Sequence, residues 1–424
     1  MDSENSLSKR LKRYASVATK MAGVAAKTAG TKLVGKENDG VFLQEALGAL
    51  KGPAMKVGQI LGMVPNLFPD NITESLRHLQ SQAPAMGWPF VRRRMATELG
   101  KDWQANFSSF DQKASFAASL GQVHKAVTID NHVVACKLQY PDMESTIEAD
   151  LNQLTFILGV YESYSKSLDT SKMREEIAER LREELDYQNE AKNIGNFEEI
   201  ARKIKFLNIP EVVPSLTTKR LLTMSWLDGK CLLDFKESSV DVRKTIARRL
   251  FYAWYMPLYK HGMLHADPHY GNYSFTEDLS LNLLDFGCVR YFDQSFLLAS
   301  LDLYKAVETN NDTLAMEAYQ SWGFENISKE LTEALNLWAK YLFDPLIENK
   351  ERPLLYDTTI GGRVLKGVLE ALKKEGGVTP PKEFVFMDRA AVGIGSAMIH
   401  LNVEMNWHHL FHEILEESNL IRKN

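Results

Sequence analysis

Asp267, Asn272 and Asp285 are the residues whose types and spacing point most directly to chemistry. Four residues separate Asp267 from Asn272. In phosphoryl-transfer loops with this spacing, the aspartate accepts the proton of the attacking hydroxyl and the asparagine oxygen binds a divalent metal. Asp285 opens an Asp-Phe-Gly triplet and offers a carboxylate, the kind of oxygen ligand that Mg²⁺ needs. Each pattern is weak by itself, but their order and spacing together indicate phosphoryl-transfer geometry.

A strand pair is predicted to hold these residues in one cleft. Residues 273–275 and 281–284 have strand-like patterns, and the turn at Glu277 would return the chain from Asp267 toward Asp285. Three further elements are predicted from local pattern: a strand over 220–226, a buried core helix over 250–259 and helices throughout after about residue 295.

Lys137 is the candidate phosphate-binding cation. Val134-Ala-Cys-Lys137 matches the strand-borne lysine motif of kinases, whose ammonium contacts the α- and β-phosphates. The surrounding segment, 132–138, is β-like and follows a turn pair that begins at Asp130. The alternative is an ordinary lysine at a strand edge, and the downstream motifs favour the phosphate role.

A charged segment from Thr170 to about Lys203 is predicted to form one long helix that carries three acids. On such a helix Asp186 and Glu190 share a face, whereas Glu184 and Glu190 point roughly 120° apart. The residues alone allow two acidic roles on this helix, but they favour surface charge over a site role for each acid.

The segment before Val134 has no G-x-G-x-x-G loop. In its place stands an alanine-rich stretch, 114–124. Small side chains let the backbone approach phosphates, but alanine restricts φ more than glycine does. A nucleotide loop of a different shape is therefore predicted, with four candidate residues: Ala117, Ala118, Ser119 and Gly121.

Four motifs together resemble the UbiB/AarF family of atypical protein-kinase-like proteins, which is linked to coenzyme Q biosynthesis. They are Lys56-Val-Gly-Gln59, Ser119-Leu-Gly-Gln-Val-His124, Glu184-Leu-Asp186 and Asp267-Pro-His-Tyr-Gly-Asn272. The resemblance runs from about residue 50 to about residue 300. It implies an α+β, bilobal protein-kinase-like fold with an amino-terminal helical extension and a helix-rich C-lobe.

The resemblance also implies how nucleotide and metal would be bound. Glu190 would form an ion pair with Lys137, and Met224, on the strand before the lobe hinge, would line the nucleotide site. Asn272 and Asp285 would hold magnesium. ATP and Mg²⁺ are thus the expected cofactors.

A second set of residues is implied to act in catalysis. Asp267 would be the catalytic base. Lys56 and Gln59, on the amino-terminal extension, would fold over the place where ordinary kinases accept a protein substrate, and there they would meet Glu184 and Asp186. The family is therefore similar to an ATPase or a small-molecule kinase rather than to a kinase of other proteins.

Three positions depart from the family pattern. Phe116 stands at a loop position that is usually alanine, and Tyr270 replaces the second proline of DPHPGN. Ser225 stands where the strand before the hinge often has glutamate, which puts the usual contact with adenine in question. None of these changes removes a metal ligand or the base.

Three functions remain open from the sequence. The favoured one is an ATP-binding atypical kinase or ATPase that supports quinone (coenzyme Q) or lipid metabolism at a membrane surface, with a lipid or quinone-precursor ligand and quinone-biosynthesis proteins as partners. The second is a nucleotide-switched pseudokinase that acts as a scaffold for a membrane-associated biosynthetic complex. The third is a soluble kinase of the aminoglycoside or choline type, which shares the Asp-x4-Asn spacing.

The amino-terminal segment, 1–36, is basic and amphipathic. Between Glu4 and Glu37 it holds eight Lys or Arg and no acid, with apolar residues on one helical face. It is predicted either to pack on the protein body or to rest on an anionic membrane surface. The predicted domains are this basic segment (1–40), the KxGQ extension (41–109), the kinase-like N-lobe (110–228) and the helical C-lobe (229–424).

Composition excludes several other classes. A hydrophobic content of 45% is ample for a large core, and the net charge of −5 argues against a nucleic-acid partner. The three cysteines are far apart, so neither a disulfide scaffold nor a cysteine zinc site is expected. No apolar run reaches the roughly 18 residues of a spanning helix, and no secretory signal is recognised. A cytoplasmic protein with peripheral membrane attachment is expected.

Overall fold

The computed structural model of the protein describes most of the chain after residue 84. The described ranges are 85–117, 120–164, 181–267, 269–324, 327–354 and 397–420, with a few isolated positions between them. Lys56, Gln59, Ala118, Ser119 and the basic segment 1–36 lie outside the described residues, so the predictions made for them are not tested.

The chain forms two compact units, each assembled from discontinuous segments. Of the described residues, the first holds those within 85–100, 111–124 and 137–185, and the second holds those within 101–110, 125–136 and 186–420. The domain boundaries predicted from the sequence stay predictions.

Helices dominate the carboxyl-terminal half of the described chain. The described α-helices are α1 (Trp88–Leu99), α2 (Met143–Tyr164), α3 (Tyr187–Ala201), α4 (Val240–His261), α5 (Gln294–Thr309), α6 (Asp312–Ser321), α7 (Lys329–Ile347) and α8 (Trp407–Glu417). The described strands are β1 (Phe107–Phe110), β2 (Phe116–Ala117), β3 (Gly121–Thr128), β4 (Val133–Gln139), β5 (Leu207–Asn208), β6 (Leu221–Ser225), β7 (Lys230–Cys231), β8 (Met263–His265), β9 (Tyr273–Phe275), β10 (Leu281–Leu283), β11 (Val289–Tyr291), β12 (Arg352–Pro353) and β13 (Glu404–Met405).

The strands form two main sheets. The larger has the order β1-β3-β4-β6, with β2 beside β3. The smaller has the order β5-β10-β9-β7, in which β9 and β10 are antiparallel and Leu283 lies opposite Tyr273. The predicted strand pair around Glu277 and the predicted strands at 132–138 and 220–226 are therefore confirmed.

Helix α4 is the buried core helix that the sequence predicts over 250–259. The Ser239 side chain accepts a hydrogen bond from the Val242 amide at its start, and the helix ends at Gly262 with φ of 67°. A side chain at Gly262 would meet the Phe292 carbonyl oxygen at 2.5 Å, so only glycine fits this turn. The turn feeds directly into β8 and thereby positions the residues that follow.

The prediction of one helix from Thr170 to Lys203 is wrong. Helix α3 begins only after Asp186, whose φ of −100° and ψ of 87° are not helical. The Asp186 side chain accepts from the amides of Gln188 and Asn189 and so caps the helix. Because Asp186 stands outside the helix, the inference that it shares a helical face with Glu190 is also wrong.

A smaller correction concerns the end of the chain. The sequence predicts only helices after about residue 295, but β12 and β13 form a short antiparallel pair in which Arg352 lies opposite Met405. Among the described residues, no helix combines the length and the apolar character needed to cross a bilayer.

Candidate active site

The loop between β8 and β9 carries Asp267 and Asn272. Its backbone is tied down by the Asn272 side chain, whose Nδ2 donates to the Asp267 carbonyl oxygen across 3.3 Å. The Tyr273 hydroxyl lies 3.5 Å from the same carbonyl. With its Nδ2 used in this way, the Asn272 amide keeps its oxygen as an acceptor, and the side chains of Asp267 and Asn272 are both partly exposed. The loop is thus closed on itself while its two functional groups remain accessible.

Tyr273 adds to the polar character of this loop. Burial, and after it the charge of the nearby Asp267 carboxylate, raises the pKa of Tyr273 well above its ordinary value. Its hydroxyl therefore keeps its proton and remains a donor toward the Asp267 carbonyl.

Asp285 is brought to the same loop by the β9–β10 hairpin. The Leu284 amide donates to the Asn272 carbonyl oxygen across 3.1 Å. On the other side, Nε2 of the buried His265 lies 2.5 Å from the Asp285 carbonyl oxygen. The backbone next to Asp285 is therefore fixed by the residues that begin and end the Asp267 loop, as the predicted hairpin requires.

Helix α3 holds the Asp-Phe-Gly triplet from a second direction. Glu190 Oε1 accepts from the Phe286 amide across 3.4 Å. One turn along the helix, Asn193 Nδ2 donates to the Phe286 carbonyl oxygen across 3.0 Å, and its Oδ1 accepts from the Tyr291 hydroxyl across 2.9 Å. Glu190 and Asn193 are both buried. Asn193 was not predicted from the sequence, and it fixes the triplet as directly as Glu190 does.

Gly287 separates two carboxylates. Its amide donates to Asp285 Oδ1 across 3.0 Å. A side chain placed there would lie 3.3 Å from Asp285 Oδ1 and 3.9 Å from Glu190 Oε2. Two carboxylates that border one residue create a negative potential, which favours a metal ion or an ammonium group nearby. The donor set of Asp285 and Asn272, all oxygen, fits Mg²⁺.

The predicted nucleotide loop lies at a hairpin. Strand β2 pairs with β3, with Phe116 opposite Val123 and Ala117 opposite Gln122. Gly121 opens β3 and is buried, whereas the Phe116 side chain is exposed. A hairpin is the element that places a phosphate loop in kinases, although the residues at its tip are among those that the structure does not describe.

Gln122 and His124 have a clear structural role. Gln122 Oε1 accepts from the Met86 amide across 2.6 Å, and Gln122 Nε2 donates to the Met86 carbonyl across 3.3 Å. The same Nε2 lies 2.7 Å from His124 Nε2, and His124 Nδ1 lies 2.8 Å from the Asp111 carbonyl oxygen. In the sequence, both residues stand out only as members of the motif that ends at His124. The structure adds that they tie β3 to the segment that precedes α1.

Lys137 lies in β4 of the first unit and Glu190 lies in α3 of the second. The Lys137 side chain is 9% exposed and the Glu190 side chain 2%. Buried charges need compensation, and the pairing of Lys137 with Glu190 stays a prediction.

Met224 lies in β6, with 6% of its surface exposed, and forms a bridge with Val212. The segment that follows is held by Lys125, which lies 4.6 Å from the Trp226 ring centre and 3.7 Å from Asp228 Oδ1. The Trp226 indole also donates to Asp228 Oδ1 across 2.7 Å. Lys125 was not predicted, because its partners are remote in sequence.

Glu184 and Asp186 fall in different units, and both are partly exposed. Asp186 serves as the cap of α3, which occupies one of its oxygens. Their predicted meeting with Lys56 and Gln59 involves residues outside the described part of the chain.

The chain is similar to several known proteins. Residues 78–319 match the model of the ABC1 atypical kinase-like domain. The chain is 32% identical to AarF domain-containing protein kinase 1 of Xenopus tropicalis over 61% of this chain and 51% of that protein. It is 26% identical to the mitochondrial atypical kinase COQ8 of Saccharomyces cerevisiae over 86% of this chain and 74% of that protein. The match thus spans about half the length of the Xenopus relative.

A solved structure has the same fold. The Mycobacterium tuberculosis protein Rv3197, in complex with erythromycin, superimposes with a TM-score of 0.61 and 24% identity over 95% of this chain and 98% of that one. The family match and this likeness confirm the α+β, kinase-like fold that the sequence predicts. The chain belongs to the ABC1 atypical kinase-like family, the UbiB/AarF group that its four motifs resemble.

Proposed function

We propose that this protein binds MgATP and transfers or hydrolyses its terminal phosphoryl group. The observation that carries the proposal is the hydrogen-bonded loop that brings Asp267, Asn272 and Asp285 together. Asp267 would orient or deprotonate the attacking oxygen, and Asn272 and Asp285 would hold Mg²⁺ against the phosphates. The metal would supply charge neutralisation between the β- and γ-phosphates.

The remaining candidate residues would either bind the nucleotide or cover the acceptor side of the site. Lys137 would bind the α- and β-phosphates, oriented by Glu190. Met224 and the alanine-rich hairpin, including Ala117, Ala118, Ser119 and Gly121, would enclose the nucleotide. Lys56 and Gln59 would cover the acceptor side together with Glu184 and Asp186.

The biological setting is proposed from the relatives and the basic amino terminus. The yeast relative is named a mitochondrial atypical kinase, COQ8. This supports a role in coenzyme Q or related lipid metabolism, with a lipid or quinone precursor as ligand and quinone-biosynthesis proteins as partners. Residues 1–36 would bring the protein to an anionic membrane surface, since eight cationic side chains are available there.

Release of ADP from MgATP by the purified protein, measured with and without anionic liposomes, tests the proposal. We expect release in at least one of the two conditions, and we expect Asp267→Asn to lower it. The exposed Asp130, in the turn before β4, supplies a matched control as Asp130→Asn. Tight MgATP binding without any ADP release would instead favour the nucleotide-switched scaffold.

A further inference from the structure

Two histidines of α8 lie beside a glutamate of α5. His408 and His412 are one helical turn apart, and Glu308 lies near the end of its helix. One ring nitrogen of each histidine and one carboxylate oxygen of Glu308 all lie within 4.8 Å of one another. The histidines are half-buried and Glu308 is exposed, so solvent ions can reach the group.

The helical spacing explains why both rings face the same place. Residues four apart on an α-helix project from one face, and the centres of the two imidazole rings are 4.2 Å apart. Buried residues of α8, among them Trp407 and Phe411, hold the helix against the protein. The two rings are therefore presented by a firmly packed element.

A second layer of hydrogen bonds orients the rings. His408 Nδ1 lies 2.9 Å from the Leu346 carbonyl oxygen, which fixes this nitrogen as a donor and leaves the lone pair on Nε2. The Tyr304 hydroxyl donates to the same carbonyl across 3.0 Å. Its oxygen, 3.0 Å from His412 Nε2, can in turn accept from His412. Metal-binding histidines commonly use one nitrogen in this way and bind the ion with the other.

We propose that Glu308, His408 and His412 bind one first-row transition-metal dication of the Zn²⁺ class. Two imidazoles and a carboxylate form a known ligand set for such ions, with the fourth position open to water. Mg²⁺ prefers oxygen ligands in octahedral geometry, so it would not compete well here. Ligand atoms around tetrahedral Zn²⁺ lie about 3.3 Å apart, so small side-chain rotations would close the group around the ion.

Such an ion would join α5 to α8. Because it binds the folded chain through residues from two helices, it would raise the temperature of unfolding, and above the dissociation constant this rise would grow with the logarithm of the ion concentration. The site is separate in sequence from Asp267, Asn272 and Asp285, so its existence does not depend on phosphoryl transfer.

Calorimetric titration of the untagged full-length protein with Zn²⁺, in excess Mg²⁺, tests the proposal. We expect one Zn²⁺ per chain at this site. Loss of a second-layer partner typically lowers metal affinity roughly 10–100-fold. Tyr304 is such a partner, so Tyr304→Phe should lower Zn²⁺ affinity about tenfold. His408 and His412 are the ligands themselves, so His408→Gln and His412→Gln should each lower it at least about 100-fold. His409, the intervening histidine on the same helix, provides the control, and His409→Gln should bind as the native chain does.

One further variant and one further metal test the same site. Glu308→Gln alters an exposed side chain, so it should fold normally and still weaken Zn²⁺ binding and the Zn²⁺-dependent rise in unfolding temperature. Co²⁺ bound in place of Zn²⁺ should give the visible absorption of a four-coordinate site. Absence of Zn²⁺ binding, or binding that His408→Gln and His412→Gln leave unchanged, would overturn the proposal.

Discussion

The carboxylate of Glu190 accepts a hydrogen bond from the backbone amide of Phe286, with 3.4 Å between the two atoms. This bond links helix α3, which carries Glu190, to the Asp-Phe-Gly triplet that begins with Asp285. Glu190 is predicted to belong to the nucleotide site, and Asp285 is predicted to bind the metal. A change at either residue is therefore expected to affect both nucleotide and metal binding.

Asn193 should contribute to the stability of this link. Asn193→Ala leaves the buried Phe286 carbonyl without its donor and should lower the free energy of unfolding by about 1–3 kcal/mol. Apparent affinity for Mg²⁺ should fall as well, because the triplet is less firmly held. Asn189→Ala, at an exposed position of the same helix, should change the unfolding free energy by much less in the same denaturant titration. Equal effects of the two substitutions would contradict this role for Asn193.

Nucleotide affinity should depend on Lys137. Lys137→Met removes the ammonium that is proposed to bind the phosphates and should weaken MgATP binding roughly tenfold or more, with a smaller effect from Glu190→Gln. Lys113→Met, at an exposed position, serves as the control. Isothermal titration of MgATP measures these affinities, and native affinity in Lys137→Met would count against a kinase-like nucleotide site.

His124 should make folding sensitive to acid. Burial lowers the pKa of His124 below its ordinary value, so the folded state disfavours the protonated ring. The stabilisation is fully present above the unfolded pKa of about 6.5 and is lost as the pH falls below that value toward the folded pKa. Between about pH 7.5 and about pH 5.5, His124→Gln should lose less unfolding free energy than the native chain does.

The exposed His132, at the start of the neighbouring strand, provides the control for this measurement. His132→Gln should follow the native pH dependence. If His124→Gln follows it too, then His124 does not contribute to the acid sensitivity.

The basic amino terminus should add membrane affinity through its charge. Deletion of residues 1–36 should reduce cosedimentation with cardiolipin-rich liposomes, since each cationic side chain contributes ~1 kcal/mol near an anionic surface. Added salt should reduce binding of the intact chain in the same way. Equal and salt-insensitive sedimentation of both forms would indicate that this segment packs on the protein instead.

Local patterns predicted much of the phosphoryl-transfer region. Two short-range features of the sequence made this possible: the strands on either side of Glu277 and the Asp-x4-Asn spacing. The hairpin that brings Leu284 into contact with Asn272 follows from them. The long charged helix was predicted wrongly because no glycine or proline marks its break. The residue that marks the break is Asp186, because aspartate favours the N-cap position of a helix. The helical pattern of apolar residues concealed this break.

The partners of Asn193 and Gln122 could not be found in this way. Asn193 bonds a residue 93 positions away, and Gln122 bonds one 36 positions away. Both are polar residues that become buried only when distant segments meet. The pair of histidines on α8 is likewise joined by a residue distant in sequence, because Glu308 comes from another helix.

The most direct test of the account is metal binding at Asp285. Titration of Mn²⁺ into the protein with ATP, followed by electron paramagnetic resonance, measures the bound ion directly. We predict that Asp285→Asn abolishes nucleotide-dependent Mn²⁺ binding and ADP release, while Asp130→Asn leaves both unchanged. Native Mn²⁺ binding and full ADP release in Asp285→Asn would contradict the assignment of this loop as the phosphoryl-transfer site.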